Sequence, residues 1–454
     1  VKESPFKRLA STFRQRTTQD VRSLLGSWPE EFVSRSAVRR RAKLGHVTFI
    51  GVTGSCGKST TVKLCSAILS TTERCQCGFG SDPDQIAEAF RIDPAAKFHV
   101  HELQAHKPGR IAVGVRLLRP NIGIVTTIGG DHYKHYRSLQ TVASEKGQLV
   151  ESLPPDGVAI LNADDPHVCG MAERTKARII TYGLHPEANL RAVDVSCSWP
   201  DRLAFTASYG HDNARVETRL VGTYWATSAL AAIACGLACG IDLQTCANSM
   251  RRAEPVFGRN SAHVAKDGTA YILDTHKAPL WTIAPGLILV KSARAPRKTV
   301  VFGTISDYAG KGGRVHRNAA RNALAAADRV VLIGPQAAHV DKLRQGEMRD
   351  RIFTFQTTYQ ASAFLAEQRV PGELIYVKGS STDHLERIML AELDHVVCWR
   401  ERCGKIIPCL ECGRYRIPSP PPFGFDVQEQ PPREDDVGMA PNATAGSDSR
   451  APAE

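Results

Sequence analysis

The sequence predicts an α/β fold: a larger central domain built on a parallel-rich sheet, followed by a smaller domain of the same class. Three observations carry that expectation. Short β-branched runs alternate with helical patterns from Val47 onward, a glycine-rich turn joins the first run to a helix, and the alternation resumes after Lys298. With 454 residues, 42% of them hydrophobic, the chain can bury more than one core, since single cores stop growing at roughly 250–300 residues.

Residues 1–46 form a basic arm that includes RSAVRRRAK, with Phe6, Leu9, Phe13 and Val21 at helical spacing. Such an arm is expected to be helical, either packed on the main domain or offering a surface to a membrane or a protein partner. The central domain, 47–253, opens with VTFIGVTG and continues through TVKLCSAIL, KFHVHEL, NIGIVTTIG and VAILNADD. Uninterrupted apolar strands followed by helices indicate parallel strands buried on both faces and joined by crossover helices. The apolar stretch from Trp225 to Ile241 is too short to span a bilayer and reads as a buried helix. Residues 254–395 repeat the strand pattern at Lys298–Phe302, Arg329–Ile333 and Leu374–Val377, which predicts a Rossmann-like second domain. Residues 396–416 carry a cysteine cluster. Residues 417–454 are Pro-rich and polar, with too few apolar residues to offset ordering entropy, and are expected to be disordered.

A formal net charge of +12 suits acidic partners such as nucleotides or anionic lipid but says nothing about the fold. No nucleic-acid partner is expected. An odd count of 13 cysteines, behind an N-terminus that does not look like a signal peptide, favours a reducing, cytoplasmic setting.

The strongest local signal is GVTGSCGKSTT, Gly51 to Thr61, lying between a strand and a helix. In a P-loop of this kind the backbone N–H groups wrap a phosphate, a lysine neutralises it and the next hydroxyl binds Mg²⁺. Gly54, Ser55, Cys56, Gly57, Lys58, Ser59 and Thr60 would therefore hold the phosphates of ATP, with Lys58 as the charge and Ser59 as the cation ligand. The common spacing GxxxxGK[ST] would need glycine where Val52 stands, so the loop is a variant. Glu102 and His132 fall just beyond the ends of later strands, where ligands of open α/β sheets bind.

TGSCGKSTT resembles the loop of the Mur ligases and folylpolyglutamate synthases, and the resemblance continues from about Val47 to Leu393. It implies that Glu102 and His132 are Mg²⁺ ligands. SLQTVASEKGQLVESLPPDGVAILNADDP is similar to a long family segment whose lysine is often carbamylated; Lys146 matches it and would hold a second cation. Asn162, Asp164 and Asp165 read as partly structural, as an Asx turn. GTYWATSALAAIACGLACGI matches the family's adenine-contacting segment, with Tyr224, Trp225 and Ser228 replacing its histidine and asparagines. A ring can still stack on a base, so the choice between ATP and GTP stays open.

By the same resemblance, Arg259 in Phe257-Gly258-Arg259 would meet phosphate, Asp274 the ribose hydroxyls and Lys277 the phosphates. Asp307 stands where the family has a glutamate, and Lys378, Gly379, Ser380 and Asp383 are candidates for substrate contacts. Within the family the body is most similar to the type that adds D-alanyl-D-alanine to a muramyl tripeptide. The region before Val47 is expected to be too short for the usual N-terminal domain that grips the UDP-sugar.

These readings imply an ATP- and Mg²⁺-dependent ligase that joins a small-molecule or peptide carboxylate to an amine through an acyl phosphate. The alternative is a nucleotide-binding partner protein that keeps the fold without ligation. Cys398, Cys403, Cys409 and Cys412 form C-x₄-C followed by C-x₂-C, a candidate four-thiolate structural Zn²⁺ site.

Overall fold

A computed structural model describes residues 30–79, 91–130, 133–401 and 403–417. Most of the basic arm, His132 and the tail beyond residue 417 lie outside the described residues.

The first sheet has nine strands: β1 (Thr48–Thr53), β2 (Cys75–Gly78), β3 (Phe98–Glu102), β4 (Ile122–Val125), β5 (Val158–Asn162), β6 (Arg178–Gly183), β7 (Leu190–Ser196), β8 (Ala204–Tyr209) and β9 (Asp212–Glu217). Their order is β2-β3-β1-β4-β5-β6-β7-β8-β9. Pairing is parallel from β2 through β7, and β8 and β9 then add as an antiparallel hairpin. The chain leaves β1 towards one edge and returns on the other side with β4. The carboxyl ends of β1, β3 and β4 therefore surround a topological switch point, where open α/β sheets bind ligands.

Helices cover both faces. On one, Ile50, Val52 and Ile160 pack with Leu64 and Ile68 of helix Lys58–Leu69 and with Leu230 and Ile233 of helix Trp225–Ala238. On the other, Phe49, Leu103 and Leu161 meet Ile111 of helix Arg110–Leu118 and Leu149 of helix Leu139–Glu151. Leu149 is fully buried, and truncating such a residue costs about 2–5 kcal/mol. The apolar run from Trp225 is one of these buried helices, and among the described residues no helix is long and apolar enough to cross a membrane.

The end of the basic arm is a helix, Glu30–Ala42. Two of its arginines are used internally. Arg41 is buried over the Phe49 ring and donates to Leu118 O (2.5 Å) and Arg119 O (3.0 Å), while Arg40 donates to Ile92 O (3.0 Å). Arg41 thus satisfies carbonyls left open at the end of helix Arg110–Leu118.

The second sheet comprises β10 (Ser261–Val264), β11 (Ala270–Asp274), β12 (Lys298–Phe302), β13 (Arg329–Ile333), β14 (Ile352–Phe355) and β15 (Leu374–Lys378). Its order is β10-β11-β15-β12-β13-β14, parallel except for β10. The two sheets are stitched together by Trp199, which follows β7 yet packs among Leu287, Val290 and Val300 of the second core, its carbonyl accepting from Arg294 N at 2.9 Å.

Candidate active site

β1 ends at Thr53, and the turn Gly54–Gly57 delivers the chain into helix Lys58–Leu69. Gly54 has φ 142°, and a Cβ there would lie 1.8 Å from Thr126 Oγ1, so neither the angle nor the space admits a side chain. The loop is clamped to the end of β4. Ser55 N donates to Thr127 O (2.7 Å), Gly129 N donates to Ser55 Oγ (2.9 Å), and Thr126 Oγ1 donates to Cys56 O (2.5 Å). Gly57 begins the helix without a side-chain cap, which leaves the first-turn N–H groups for an anion. The Ser228 hydroxyl packs against Gly57, placing the start of helix Trp225–Ala238 beside the loop.

Asn162, Asp164 and Asp165 form the scaffold behind this clamp. Asn162 Nδ2 donates to Thr126 O (2.7 Å), and Asp165 accepts from Thr127 Oγ1 (2.8 Å) and Ile128 N (2.7 Å) while capping the short helix Pro166–Cys169. Asp164 accepts from Leu184 N and His185 N, both at 2.8 Å.

Glu102 closes β3 and is 3% exposed. Ser59 Oγ donates to its Oε2 at 2.6 Å, and Lys58 Nζ stands 4.0 Å from its Oε1 while donating to Gly54 O at 2.8 Å. Burial pushes the Glu102 carboxyl up, but Lys58, Arg259, the Ser59 hydroxyl and His276 together hold it below the usual carboxylate range. It is therefore an anion in a dry site. An ionised carboxylate beside a hydroxyl is the hard-oxygen set that Mg²⁺ takes, so Ser59 and Glu102 fit that ion. Lys146 lies 1% exposed on helix Leu139–Glu151, one turn before Leu149, which packs on Gly51 of β1 and Gly123 of β4. Lys146 therefore stands nearer than Leu149 to the carboxyl ends of the strands, since a crossover helix runs back along the sheet.

Two of the groups near Glu102 come from the second domain, the cationic Arg259 and the imidazole of His276. Arg259 lies between β9 and β10, and His276 follows β11 by two residues. Arg259 is the main cause that holds the His276 imidazole down at about 4; burial adds to it, although the ring keeps an exposed edge. His276 is thus neutral at pH 7. From the same loop, Trp281 rests on Gly129, where a Cβ would come within 2.6 Å of the indole. Reading DTHKAPLWT from the sequence singles out Asp274 and Lys277 and passes over His276 and Trp281. Trp281 meets Gly129 across the domain junction, as His276 does Glu102, and nothing in the local sequence signals that.

Asp274 itself is engaged internally: its Oδ2 accepts from Lys378 Nζ (2.6 Å) and the Tyr376 hydroxyl (3.1 Å). The register pairs Asp274 with Lys378 across β11 and β15. Lys378 also donates to Lys277 O at 3.2 Å, so it holds this loop rather than standing free for substrate. Tyr224, half-buried, has its phenol pushed well above the usual range by burial, Asp274 and Cys56, and its ring packs tilted on Trp225 at 5.2 Å. Asp383 accepts from Thr304 N and Ser380 N, both at 2.8 Å, and knits the ends of β12 and β15 together. Asp307 accepts from Ser306 Oγ at 2.9 Å.

The four-cysteine arrangement expected for zinc is not the one that forms. Cys403 Sγ lies 3.0 Å from His384 Nε2, Cys409 Sγ lies 3.6 Å from His384 Nδ1, and Arg387 Nε donates to Cys409 Sγ at 3.2 Å. Among the described residues, the His, Cys and carboxylate groups whose ligand atoms gather within 4.8 Å are His384, Glu386 and Cys409, so Cys398 and Cys412 fall outside.

Comparison with known proteins agrees with this architecture. Residues 52–236 match the Mur ligase middle domain. The chain is 31% identical over 258 residues to a UDP-N-acetylmuramoyl-tripeptide–D-alanyl-D-alanine ligase of Mycobacterium bovis, covering 56% of this chain and 50% of that protein. It is 25% identical over 361 residues to the Escherichia coli ligase of that name, covering 77% of each. The chain thus spans about half the length of the mycobacterial relative. Among solved structures, MurF from Acinetobacter baumannii aligns with a TM-score of 0.71 at 21% identity over 80% of each chain. MurF from Thermotoga maritima in complex with ADP aligns with a TM-score of 0.70 at 16% identity over 79% of this chain and 82% of that one. The loop at the switch point and the carboxylate that faces it both lie within residues 52–236, the segment that is similar to the Mur ligase middle domain.

Proposed function

We propose that this chain is an ATP-dependent ligase that joins a carboxylate to an amine, releasing ADP and phosphate. The observation that carries the reading is the meeting of two domains at one buried anion: Ser59 and Lys58 act on Glu102 from one side and Arg259 from the other, with the neutral His276 nearby. The phosphates of ATP would lie on Gly54–Thr60, and Tyr224 supplies a ring against which the base can stack. Bound Mg²⁺, held by Ser59 and Glu102, would screen the charge that builds on the transferred phosphoryl group. His132, which lies outside the described residues, completes that set by family resemblance, and a carbamate on Lys146 would hold a second cation.

The chain's own groups then have separable roles. Lys58 and Arg259 stabilise negative charge on phosphoryl oxygens as the substrate carboxylate takes the phosphoryl group. The neutral His276 adds no further positive charge beside Arg259 and can accept a hydrogen bond there. Closure of Trp281 on Gly129 excludes water, which would otherwise hydrolyse the acyl phosphate before the amine arrives. A D-alanyl-D-alanine-type dipeptide as amine and a peptide carboxylate as acid are the substrates nearest to those of the relatives, in the cytoplasm where ATP is supplied.

One observation favours a second reading, a nucleotide-binding partner protein without ligation. The Asp274 carboxylate, expected at the ribose, is already bound by Lys378 and Tyr376. Incubating the full chain with MgATP and pools of acids and amines, followed by phosphate release and mass spectrometry of the product, separates the two. An amide product with equimolar ADP supports the ligase. ATP binding without turnover on any pool supports the partner protein.

A further inference from the structure

The segment that follows helix Glu386–Leu393 folds back onto it and brings three ligand-type side chains together away from the phosphate site. His384, Glu386 and Cys409 are 2%, 3% and 5% exposed. His384 is held at φ 51°, a left-handed conformation that a non-glycine residue adopts at a cost and that collects at functional positions. From there its Nδ1 lies 3.3 Å from Glu386 Oε1 and 3.6 Å from Cys409 Sγ.

The lone pairs are the difficulty. His384 Nε2 lies 3.1 Å from Lys405 O, an acceptor only, so the ring proton belongs on Nε2. Nδ1 is then an acceptor, and it faces a carboxylate oxygen and a sulfur inside a buried pocket. The Cys409 thiol proton is what the three atoms have to share, and a cation in its place would satisfy nitrogen, oxygen and sulfur together. The spacing says what belongs there. Tetrahedral Zn²⁺ with bonds of about 2.05 Å to nitrogen and oxygen and about 2.3 Å to sulfur requires N···O edges of roughly 3.3 Å and N···S edges of roughly 3.6 Å. The observed edges are 3.3 Å and 3.6 Å.

We propose that His384 Nδ1, Glu386 Oε1 and Cys409 Sγ bind a thiophilic divalent cation of the Zn²⁺ class. A carboxylate and a thiolate neutralise its two charges. The surrounding contacts suit a metal's outer shell: the backbone carbonyl orients the imidazole, Cys409 N donates to Glu386 Oε1 at 2.9 Å, and Arg387 Nε donates to the ligating sulfur. Cys403 sits against the far ring nitrogen and is not a ligand, which leaves the fourth corner to an exogenous group. The ion would pin residues 403–417 to the second domain. Glu386, Ile406 and Pro408 of this assembly line one wall of a cavity whose other wall includes Gly258, His276 and Ser381. The metal would thereby hold that wall in place beside the proposed active site, although the cation site itself does not depend on the ligase reading.

The test is metal analysis of the full chain purified without affinity-tag metals, alongside Cys409→Ser, His384→Gln, Cys412→Ser and Cys403→Ser. About one zinc per chain is expected in the parent, Cys412→Ser and Cys403→Ser, falling at least tenfold in Cys409→Ser and His384→Gln. Where the last two fail to fold, the Co²⁺-substituted parent decides, because its sulfur-to-cobalt charge-transfer intensity counts one thiolate in this site and four in a cysteine-only site. A metal-free parent, retention of zinc in His384→Gln, or a four-thiolate cobalt spectrum would overturn the proposal.

Discussion

Replacing Lys58 by alanine tests the phosphate site most directly. Nζ stands 4.0 Å from Glu102 Oε1, and a phosphate oxygen seated on the loop would lie at a similar distance. A unit charge pair at that separation is worth about 4 kcal/mol at an effective dielectric of 20. The side chains are 15% and 4% exposed, so solvent screening removes little of it. Applied to charge that develops in the transition state, about 4 kcal/mol corresponds to roughly 10³-fold in rate. The fold pays as well: Lys58→Ala loses one hydrogen bond to Gly54 O, worth about 1 kcal/mol, and leaves buried Glu102 without its nearest positive charge, although Arg259 and the Ser59 hydroxyl remain. Lys58→Ala should therefore lose about three decades of ATP-dependent phosphate release when assayed well below its own, lowered thermal midpoint. Turnover within tenfold of the parent, or a loss of activity matched by unfolding, would refute the assignment of this charge to the phosphoryl group.

Three further outcomes follow from the same structure. Lys146→Ala should be inactive yet partly restored by a short carboxylate such as acetate, and labelled carbon dioxide should appear on the parent lysine; an active alanine variant counts against a carbamate. Gly129→Val would place its Cβ about where the Trp281 indole lies, holding the domains apart, and displacement of this order costs about 10²-fold in rate; phosphate release and thermal unfolding measured together should show lost turnover with the melting of the first domain unchanged. His99 lies buried in β3 with its imidazole held down at about 3 by burial, His101 and Arg41, and neither ring nitrogen has a hydrogen-bond partner among the described residues. An unfolded histidine takes its proton near pH 6.5, so the folded state is fully favoured above that pH and loses stability as pH falls towards 3, by up to about 1.36 kcal/mol per pH unit. Denaturant titrations from pH 7 to pH 4 should show a shallower acid slope in His99→Leu than in the parent, and identical slopes would remove His99 from the account.

The parts of the fold that could be read from sequence are those whose signal is local. Strands β1, β3, β4 and β5 are buried on both faces, so VTFI and NIGIV stand out as continuous apolar runs, and the glycines of the P-loop announce a turn that only they can make. The hairpin β8–β9 was harder. It is half-buried and alternates, its burial running buried-exposed-buried-exposed along Ala214–Glu217, and no long apolar run marks it. At the site, Lys58, Ser59 and Glu102 were legible because strand ends and helix starts position them within one domain. Trp281 was not, since Gly129, on which it rests, is 152 positions away, and His276 matters because the fold brings it to Arg259 and Glu102 together. The cysteines show the same limit in another form: nearness in sequence suggested four thiolates, whereas folding places His384, from the preceding loop, between Cys403 and Cys409.

Trp281 is one of five tryptophans in the chain, and its indole leans on the backbone of the other domain at Gly129. Any separation of the two sheets around residues 251–260 would move that ring from a protein contact into water. Indole emission responds to such a change, so the chain carries its own optical gauge of how far its halves stand apart. Stopped-flow fluorescence can follow the swing of one domain against the other without an attached dye, and a Trp281→Phe variant supplies the baseline from the remaining four rings.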